Sequence, residues 1–110
     1  MRLKSLVALL PLLVLVCSLA FAEPPIQGTV RDAKGKGIEG VSVTLHLRSQ
    51  GPRISLTDSK GEYKFDGLPT GSYELIFERE GFTAVTRRVD LTYDDDSGQV
   101  NVTLVARKVK

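Results

Sequence analysis

Apolar and polar residues alternate with a period of two along most of the chain from residue 23 onward. In the clearest run, polar side chains fill one face, and the other face is formed by Val41, Val43, Leu45 and Leu47. Such strict alternation is typical of a strand that has one face on a core and the other in water. No long stretch shows the 3.6-residue period of a helix. The pattern therefore predicts an all-β domain.

Seven such segments follow one another at a spacing of about ten residues, separated by turns rich in glycine, proline and aspartate. We predict strands near residues 26–31, 41–48, 53–58, 62–65, 72–79, 83–91 and 100–104. Short strands at this spacing predict an antiparallel β-sandwich or barrel. The parity of each segment predicts a core of Val30, Val41, Val43, Leu45, Leu47, Ile54, Leu56, Tyr63, Phe65, Leu68, Tyr73, Leu75, Phe77, Val89, Leu91, Val100, Val102 and Leu104.

The sixth segment is the least regular of the seven. Val85, Val89 and Leu91 share a parity that also places Arg87 on the inward face. Either Arg87 lies at a sheet margin, or a β-bulge near Arg87 and Arg88 shifts the register. The sequence leaves both alternatives open.

Residues 57–77 contain two tight turns and most of the aromatic side chains. Gly61 and Gly71 occupy turn positions at which the backbone is expected to take a positive φ. Tyr73 follows the second turn, so its ring is expected to pack inside while its hydroxyl caps that turn. The stretch is therefore predicted to be part of the scaffold, with its rings committed to the interior.

Two motifs in this stretch carry a family resemblance. A T-D-x-x-G-x-Y-x-F turn occupies residues 57–65, and an L-P-x-G-x-Y turn occupies residues 68–73. With Gly28-Thr29-Val30 and the segment 37–43 upstream, this layout resembles the carboxypeptidase regulatory-like domain family. The resemblance implies a seven-stranded, Greek-key, transthyretin-like (prealbumin-like) β-sandwich without catalysis of its own. Members of the family usually serve as accessory modules in the periplasm or at the cell surface.

The N-terminal segment has the pattern of a secretory signal. Arg2 and Lys4 precede an apolar run that closes on the small-x-small sequence Ala20-Phe21-Ala22. We predict that residues 1–22 are a signal peptide cleaved between Ala22 and Glu23, and that residues 23–110 form the exported domain. Two alternatives are a retained N-terminal anchor and lipidation of Cys17.

Removal of this segment would leave a chain without net charge or cysteine. Two of the 15 basic residues lie in the predicted signal, so the remaining basic residues would equal the 13 acidic ones. The chain then shows no basic stripe for nucleic acid and no positive charge for an anionic membrane. We therefore expect no nucleic-acid partner and no membrane span after processing. The expected partner is an envelope or surface protein.

The sequence offers little catalytic chemistry. His46 is the only histidine and falls on the outward face of its strand, which argues against a Ser-His-Asp triad and against multi-histidine metal sites. We predict no enzyme, with no catalytic, cofactor-binding or metal-binding residue. Asp94-Asp95-Asp96 could offer oxygen atoms to Ca²⁺, but it lacks the spacing of a calcium loop. A solvated acidic turn is the favoured interpretation.

Two functions remain for a module of this kind. The first is a structural or protein-interaction role, which would use open edge strands and the outward residues Ile76 and Val105. The alternative is a carbohydrate- or small-ligand-binding module that would use the loops around Phe82 and Tyr93. Phe82 and Tyr93 are the only aromatic residues of the predicted domain that are not assigned to the core, and both fall in or beside predicted loops.

Overall fold

The structure, a computed structural model, describes residues 24–47, 51–94 and 96–107. The predicted signal peptide, its cleavage site between Ala22 and Glu23, and Cys17 lie outside the described residues, as does Asp95.

The described residues contain seven strands and no helix. The strands are β1 (Ile26–Arg31), β2 (Ser42–His46), β3 (Arg53–Leu56), β4 (Glu62–Phe65), β5 (Gly71–Glu78), β6 (Val85–Leu91) and β7 (Val102–Thr103). They form one sheet in the order β4-β1-β7 and a second in the order β3-β2-β5-β6. The predicted seven-stranded, two-layer all-β architecture is confirmed, whereas the Greek-key connection stays a prediction.

The prediction of a fully antiparallel fold was wrong at one pair, because β7 runs parallel to β1. Val30 lies beside Val102 and Arg31 beside Thr103. After β6 the chain leaves the four-stranded sheet and enters the other sheet beside the start of β1, where Gln99 bridges Gln27. Alternation has the same period for parallel and antiparallel neighbours, so the sequence pattern carries no information on direction.

The core lies between the two sheets and is centred on aromatic rings. Phe77 is fully buried, and the Tyr63 ring packs edge-on against it with centroids 5.5 Å apart. Tyr63 also contacts Phe65 in an edge arrangement at 6.3 Å. The predicted core residues are buried except for Leu47 and Val100, which are half-buried against it, and Ile54 and Leu56.

The prediction that Ile54 and Leu56 point inward was wrong, because each side chain is 65% exposed. In the register of β3 with β2, they lie opposite the outward residues of β2, Thr44 and Ser42. The opposite parity, which begins with Arg53, faces inward. The Arg53 guanidinium lies 5.7 Å from the Phe65 ring centroid and closes the side of the sandwich.

Thr57 fixes this register, because its side chain and backbone are both bonded to the segment that precedes β2. Its buried hydroxyl donates to the Ile38 carbonyl at 2.6 Å and accepts from the Val41 amide at 2.8 Å. Its own amide donates to the Val41 carbonyl at 3.0 Å. Side chains alternate between the two faces along a strand. Because the side chain of Thr57 points inward, those of Leu56 and Ile54 must point outward.

The pairing of β6 with β5 is unbroken from Val85 to Leu91, so the alternative of a β-bulge near Arg87 was wrong. Arg87 has the inward parity but is exposed, because β6 is the edge of its sheet. The strand begins at Val85, two residues later than predicted.

The two turns of residues 57–77 have the predicted backbone. Gly61 has φ 83° and Gly71 has φ 152°. A Cβ atom at Gly61 would also lie 2.4 Å from the Val30 carbonyl oxygen, so a side chain is excluded there by space as well as by φ. The Tyr73 hydroxyl donates to the Pro69 carbonyl at 2.5 Å, which is the predicted cap of the second turn.

Candidate interaction surface

The outward face of the four-stranded sheet carries an apolar strip at its β3 edge. One row of residues crosses all four strands without a charge and consists of Ile54, Thr44, Ile76 and Thr86. Leu56 lies in the next row, beside Ser42. Ile54 and Leu56 are largely exposed and Ile76 is half-buried. We call Ile54 and Leu56 the β3 strip; Ile76 lies in the row of Ile54 but two strands away, on β5.

The backbone of β3 is unpaired along the same edge. Because Thr57 bonds to the β2 side, the alternation of an antiparallel ladder turns the amides and carbonyls of Arg53 and Ser55 toward β2 as well. The amides and carbonyls of Ile54 and Leu56 then point away from the sheet. No described strand pairs with this edge. The same two residues thus present unpaired hydrogen-bonding groups and apolar side chains.

An open groove of about 570 Å³ lies beside this edge. Its lining includes Ser55, Leu56 and Asp58 on one side and residues of β1 and β4 such as Gln27 and Lys64 on the other. Apart from Leu56, Tyr63 and Gly28, the residues of the lining are polar or charged. The groove gives an approaching chain room beside β3.

His46 lies on the outward face, in a row with Glu74 and Arg88. These three residues, with Ser72, line a hollow of about 210 Å³ at one end of the sheet. The Ser72 hydroxyl donates to the Asp90 carboxylate at 2.7 Å. Within the described residues, no group of three or more His, Cys, Asp and Glu side chains is placed to hold a metal ion.

Phe82 and Tyr93 do not share a site. Phe82 precedes β6 and is half-buried against the core, whereas Tyr93 follows β6 and is 69% exposed. The seven residues of β6 separate them by roughly 23 Å at about 3.3 Å per residue. A ligand of ordinary size would therefore contact only one of the two rings.

The acidic loop after β6 is held together by its own side chains. The Asp94 carboxylate accepts from the Asp96 amide at 3.1 Å. The Ser97 hydroxyl accepts from the Thr92 amide and donates to the Thr92 carbonyl, both at 3.0 Å. These contacts give Asp94 a structural role in its turn.

Ile54 and Leu56 were predicted to lie in the core, so the β3 strip was not expected, although the sequence contains one signal for it. Pro52 lacks a backbone donor and so favours an edge strand after it. An edge strand has a free side, and its inward face can be closed by a long polar side chain such as Arg53. Of the two residues predicted as outward contacts, Ile76 is half-buried on the outward face, and Val105 is 58% exposed beside Thr83, just before the start of β6 and away from β3. Across the residues described, no helix has the length and apolar character needed to span a bilayer.

The chain is similar in sequence to a family of domains and to segments of known proteins. The model of the family described as "Carboxypeptidase regulatory-like domain" matches residues 25–105. Serine-aspartate repeat-containing protein E of Staphylococcus aureus is 42% identical over 78 residues, which cover 67% of this chain and 7% of that protein. The chain therefore spans only a small fraction of the curated relatives that it matches.

Solved structures share the fold at low sequence identity. The Bacillus anthracis TIE protein is 12% identical with a TM-score of 0.63, over 77% of this chain and 17% of that one. The group B streptococcus pilus 2b backbone protein is 16% identical with a TM-score of 0.58, over 76% and 41% of the two chains. Catechol 1,2-dioxygenase of Acinetobacter radioresistens is 18% identical with a TM-score of 0.58, over 83% and 54%. These similarities establish the sandwich and no activity.

Proposed function

Because the chain belongs to the carboxypeptidase regulatory-like domain family, we propose that it is an exported, non-enzymatic β-sandwich module with a structural or protein-interaction role in the periplasm or at the cell surface. The observation that carries the proposal is the exposed β3 strip beside an unpaired strand edge. Apolar side chains that cluster on a surface mark sites of protein contact.

The energetics of the strip favour a contact. Fully burying a leucine or isoleucine side chain contributes about 1.5–3 kcal/mol, and Ile54 and Leu56 each leave most of that contribution unused in the isolated domain. An added strand would in addition satisfy the free amides and carbonyls of β3. A partner that covers this edge is therefore stabilised both by burial of the two side chains and by hydrogen bonds to the backbone of β3.

The similar proteins support a structural role. The matched relative contains this region as a small part of a long chain. One protein of the same fold is the backbone protein of a group B streptococcus pilus. That protein is named as a structural part of a pilus, and we extend a structural role of this kind to the present chain.

Photo-crosslinking in the native cells tests the proposal. A photoreactive residue at Leu56 should yield discrete adducts with an envelope or surface protein, while the same residue at Lys34, in an exposed turn, should yield none. The mature protein should be recovered outside the cytoplasm with its N-terminus at Glu23. Cytoplasmic protein, or the absence of any Leu56 adduct in the envelope, would contradict it.

The carbohydrate alternative depends on Tyr93, whose ring is 69% exposed and free for stacking. Titration against a glycan panel should give a signal that Tyr93→Ala abolishes if the alternative holds. Phe82→Ala is a poor control because Phe82 packs against the core, so Val105→Ala serves instead. If no glycan of the panel gives a binding signal, the carbohydrate alternative is wrong.

A further inference from the structure

We propose that β3 pairs with β3 of a second copy of this chain, in antiparallel orientation about a two-fold axis that passes through Ser55. This proposal rests on the proposed function and names one partner for it. The pairing would join the two four-stranded sheets edge to edge into one continuous sheet.

The hydrogen-bonding groups of β3 are self-complementary in this register. The amides and carbonyls of Ile54 and Leu56 point away from the sheet, as the bonds of Thr57 to the β2 side require. With Ser55 opposite itself, Ile54 of each copy faces Leu56 of the other. Each such pair exchanges both of its N–H···O bonds. Every outward backbone group of these residues is then satisfied.

The side chains are complementary in the same register. Ile54 and Leu56 lie on the same outward face, so the pairing brings the two exposed side chains of each copy directly beside those of the other. The rows that continue from them on β2 carry Thr44 and Ser42, which are uncharged. No charged residue opposes a like charge across the axis on this face, so electrostatic repulsion does not oppose the contact.

Two features limit the pairing to this short segment. Pro52 has no amide to donate, so the ladder cannot continue past it. Pro52 would lie opposite Asp58 of the partner, and the amide of Asp58 already donates to the Glu62 carbonyl at 3.0 Å. The contact is therefore confined to residues 53–57 of each copy, and the two-fold axis closes it.

The size of the contact sets its strength. A stable interface buries about 800 Å² per partner, and a strand of four residues with two apolar side chains supplies much less. We therefore expect a weak, rapidly exchanging dimer for the free chain. Attachment of several copies to one surface raises their effective concentration and strengthens such a contact.

A second copy is preferred over a foreign strand because the edge fits itself in both respects. A foreign segment would need apolar residues at alternate positions, and the amides and carbonyls of those same residues would have to be unpaired. The second copy supplies both at a fixed spacing, in Ile54 and Leu56.

Sedimentation equilibrium of the purified protein over a range of concentrations tests the dimer. We expect association that Leu56→Lys weakens by at least about tenfold, because a lysine on an edge strand opposes pairing. Val105→Lys is the matched control, since Val105 is similarly exposed on another surface, and it should leave association unchanged. Monomer at all concentrations up to about 1 mM, or equal effects of the two variants, would overturn the proposal.

A cysteine pair tests the register. In the proposed dimer the two Ser55 residues form a non-hydrogen-bonded pair with Cα atoms about 4.5 Å apart, which is within disulfide range. Ser55→Cys should therefore oxidise to a covalent dimer, with the 55–55 bond identified by peptide mapping. Ser59→Cys, in the following turn, is not opposite itself and should stay monomeric. Equal rates of oxidation would refute this register.

The two proposals fail in different ways. A monomer whose Leu56 crosslinks to a different envelope protein overturns self-pairing and leaves the proposed function standing. A dimer with the expected Ser55 bond, found in the cytoplasm of the native cells, supports self-pairing and contradicts the proposed location.

Discussion

The hydroxyl of Tyr63 on β4 donates a hydrogen bond of 2.6 Å to the carbonyl oxygen of Val100, in the segment that leads into β7. The pairing of this segment with β1 starts regularly, with bonds from Gln27 to Gly98 and from Val100 to Gln27. The next bond of a parallel ladder would run from the Thr29 amide to the Val100 carbonyl. Because that carbonyl turns to Tyr63, the side-chain oxygen of Asn101 accepts from Thr29 instead, at 3.0 Å.

Tyr63→Phe should therefore destabilise the domain by about 1–3 kcal/mol. The change keeps the ring, which packs against Phe77, and removes only the hydroxyl, so the Val100 carbonyl loses its donor. Urea unfolding measures the difference. Tyr93→Phe is the matched control, because Tyr93 is exposed, and should change stability by less than about 0.5 kcal/mol. An equal, small effect of both variants would show that the hydroxyl contributes nothing.

Asn101→Ala should cost about 0.5–1.5 kcal/mol, because it leaves the Thr29 amide without its acceptor. Asn101→Asp keeps an oxygen at the same position and should retain most of the stability at neutral pH. Hydrogen exchange of the Thr29 amide gives a local readout, with faster exchange expected in the alanine variant only. The hypothesis fails if Asn101→Ala leaves that amide protected.

Asp32 and Asp58 should make the domain less stable in acid. Hydrogen bonds from the amides of Lys36 and Lys34 hold the pKa of Asp32 below its usual value, and those from Glu62 and Lys60 do the same for the pKa of Asp58. Since the pKa is lower in the folded state, this stabilisation is fully present above the unfolded pKa of about 3.9 and is lost as the pH falls through the folded pKa.

Denaturant midpoints across the acid range measure this effect. The double variant Asp32→Asn, Asp58→Asn keeps the acceptor oxygens and should flatten the decline below about pH 4. Ser59→Ala, in the same turn as Asp58, should leave the decline unchanged. An unaltered acid profile in the double variant would contradict the assignment.

Phe77→Ala and Leu56→Ala should differ strongly in their cost. Phe77 is fully buried against Tyr63, so its truncation should cost roughly 3–5 kcal/mol. Leu56 is 65% exposed, so its truncation should stay within about 0.5 kcal/mol. Thermal or urea unfolding compares them directly. A large decrease in the free energy of unfolding for Leu56→Ala would show that Leu56 is buried, which would contradict the register of β3 with β2.

Much of the fold was predictable from the chain, because local patterns carry it. Clean alternation in β2 and β5 placed Val43, Leu45 and Phe77 in the core. The motif of residues 57–65 placed Gly61 in a turn with positive φ. The position of Tyr73 just after the Pro69 turn predicted that its hydroxyl caps this turn. Each of these features depends on residues that are close in sequence, so the spacing is sufficient to define it.

Tertiary structure alone decided the features that depend on distant neighbours. The direction of β7 follows from the point at which the chain enters the sheet beside β1, and the period of the sequence pattern contains no information on this point. The facing of β3 follows from Thr57 and from Arg53 over Phe65, so Ile54 and Leu56 became surface instead of core. Phe82 and Tyr93 looked alike in sequence, and β6 separates them. The sequence shows which residues of a strand share a face, because side chains alternate locally. Which of the two faces is buried depends on what the rest of the chain packs against the strand.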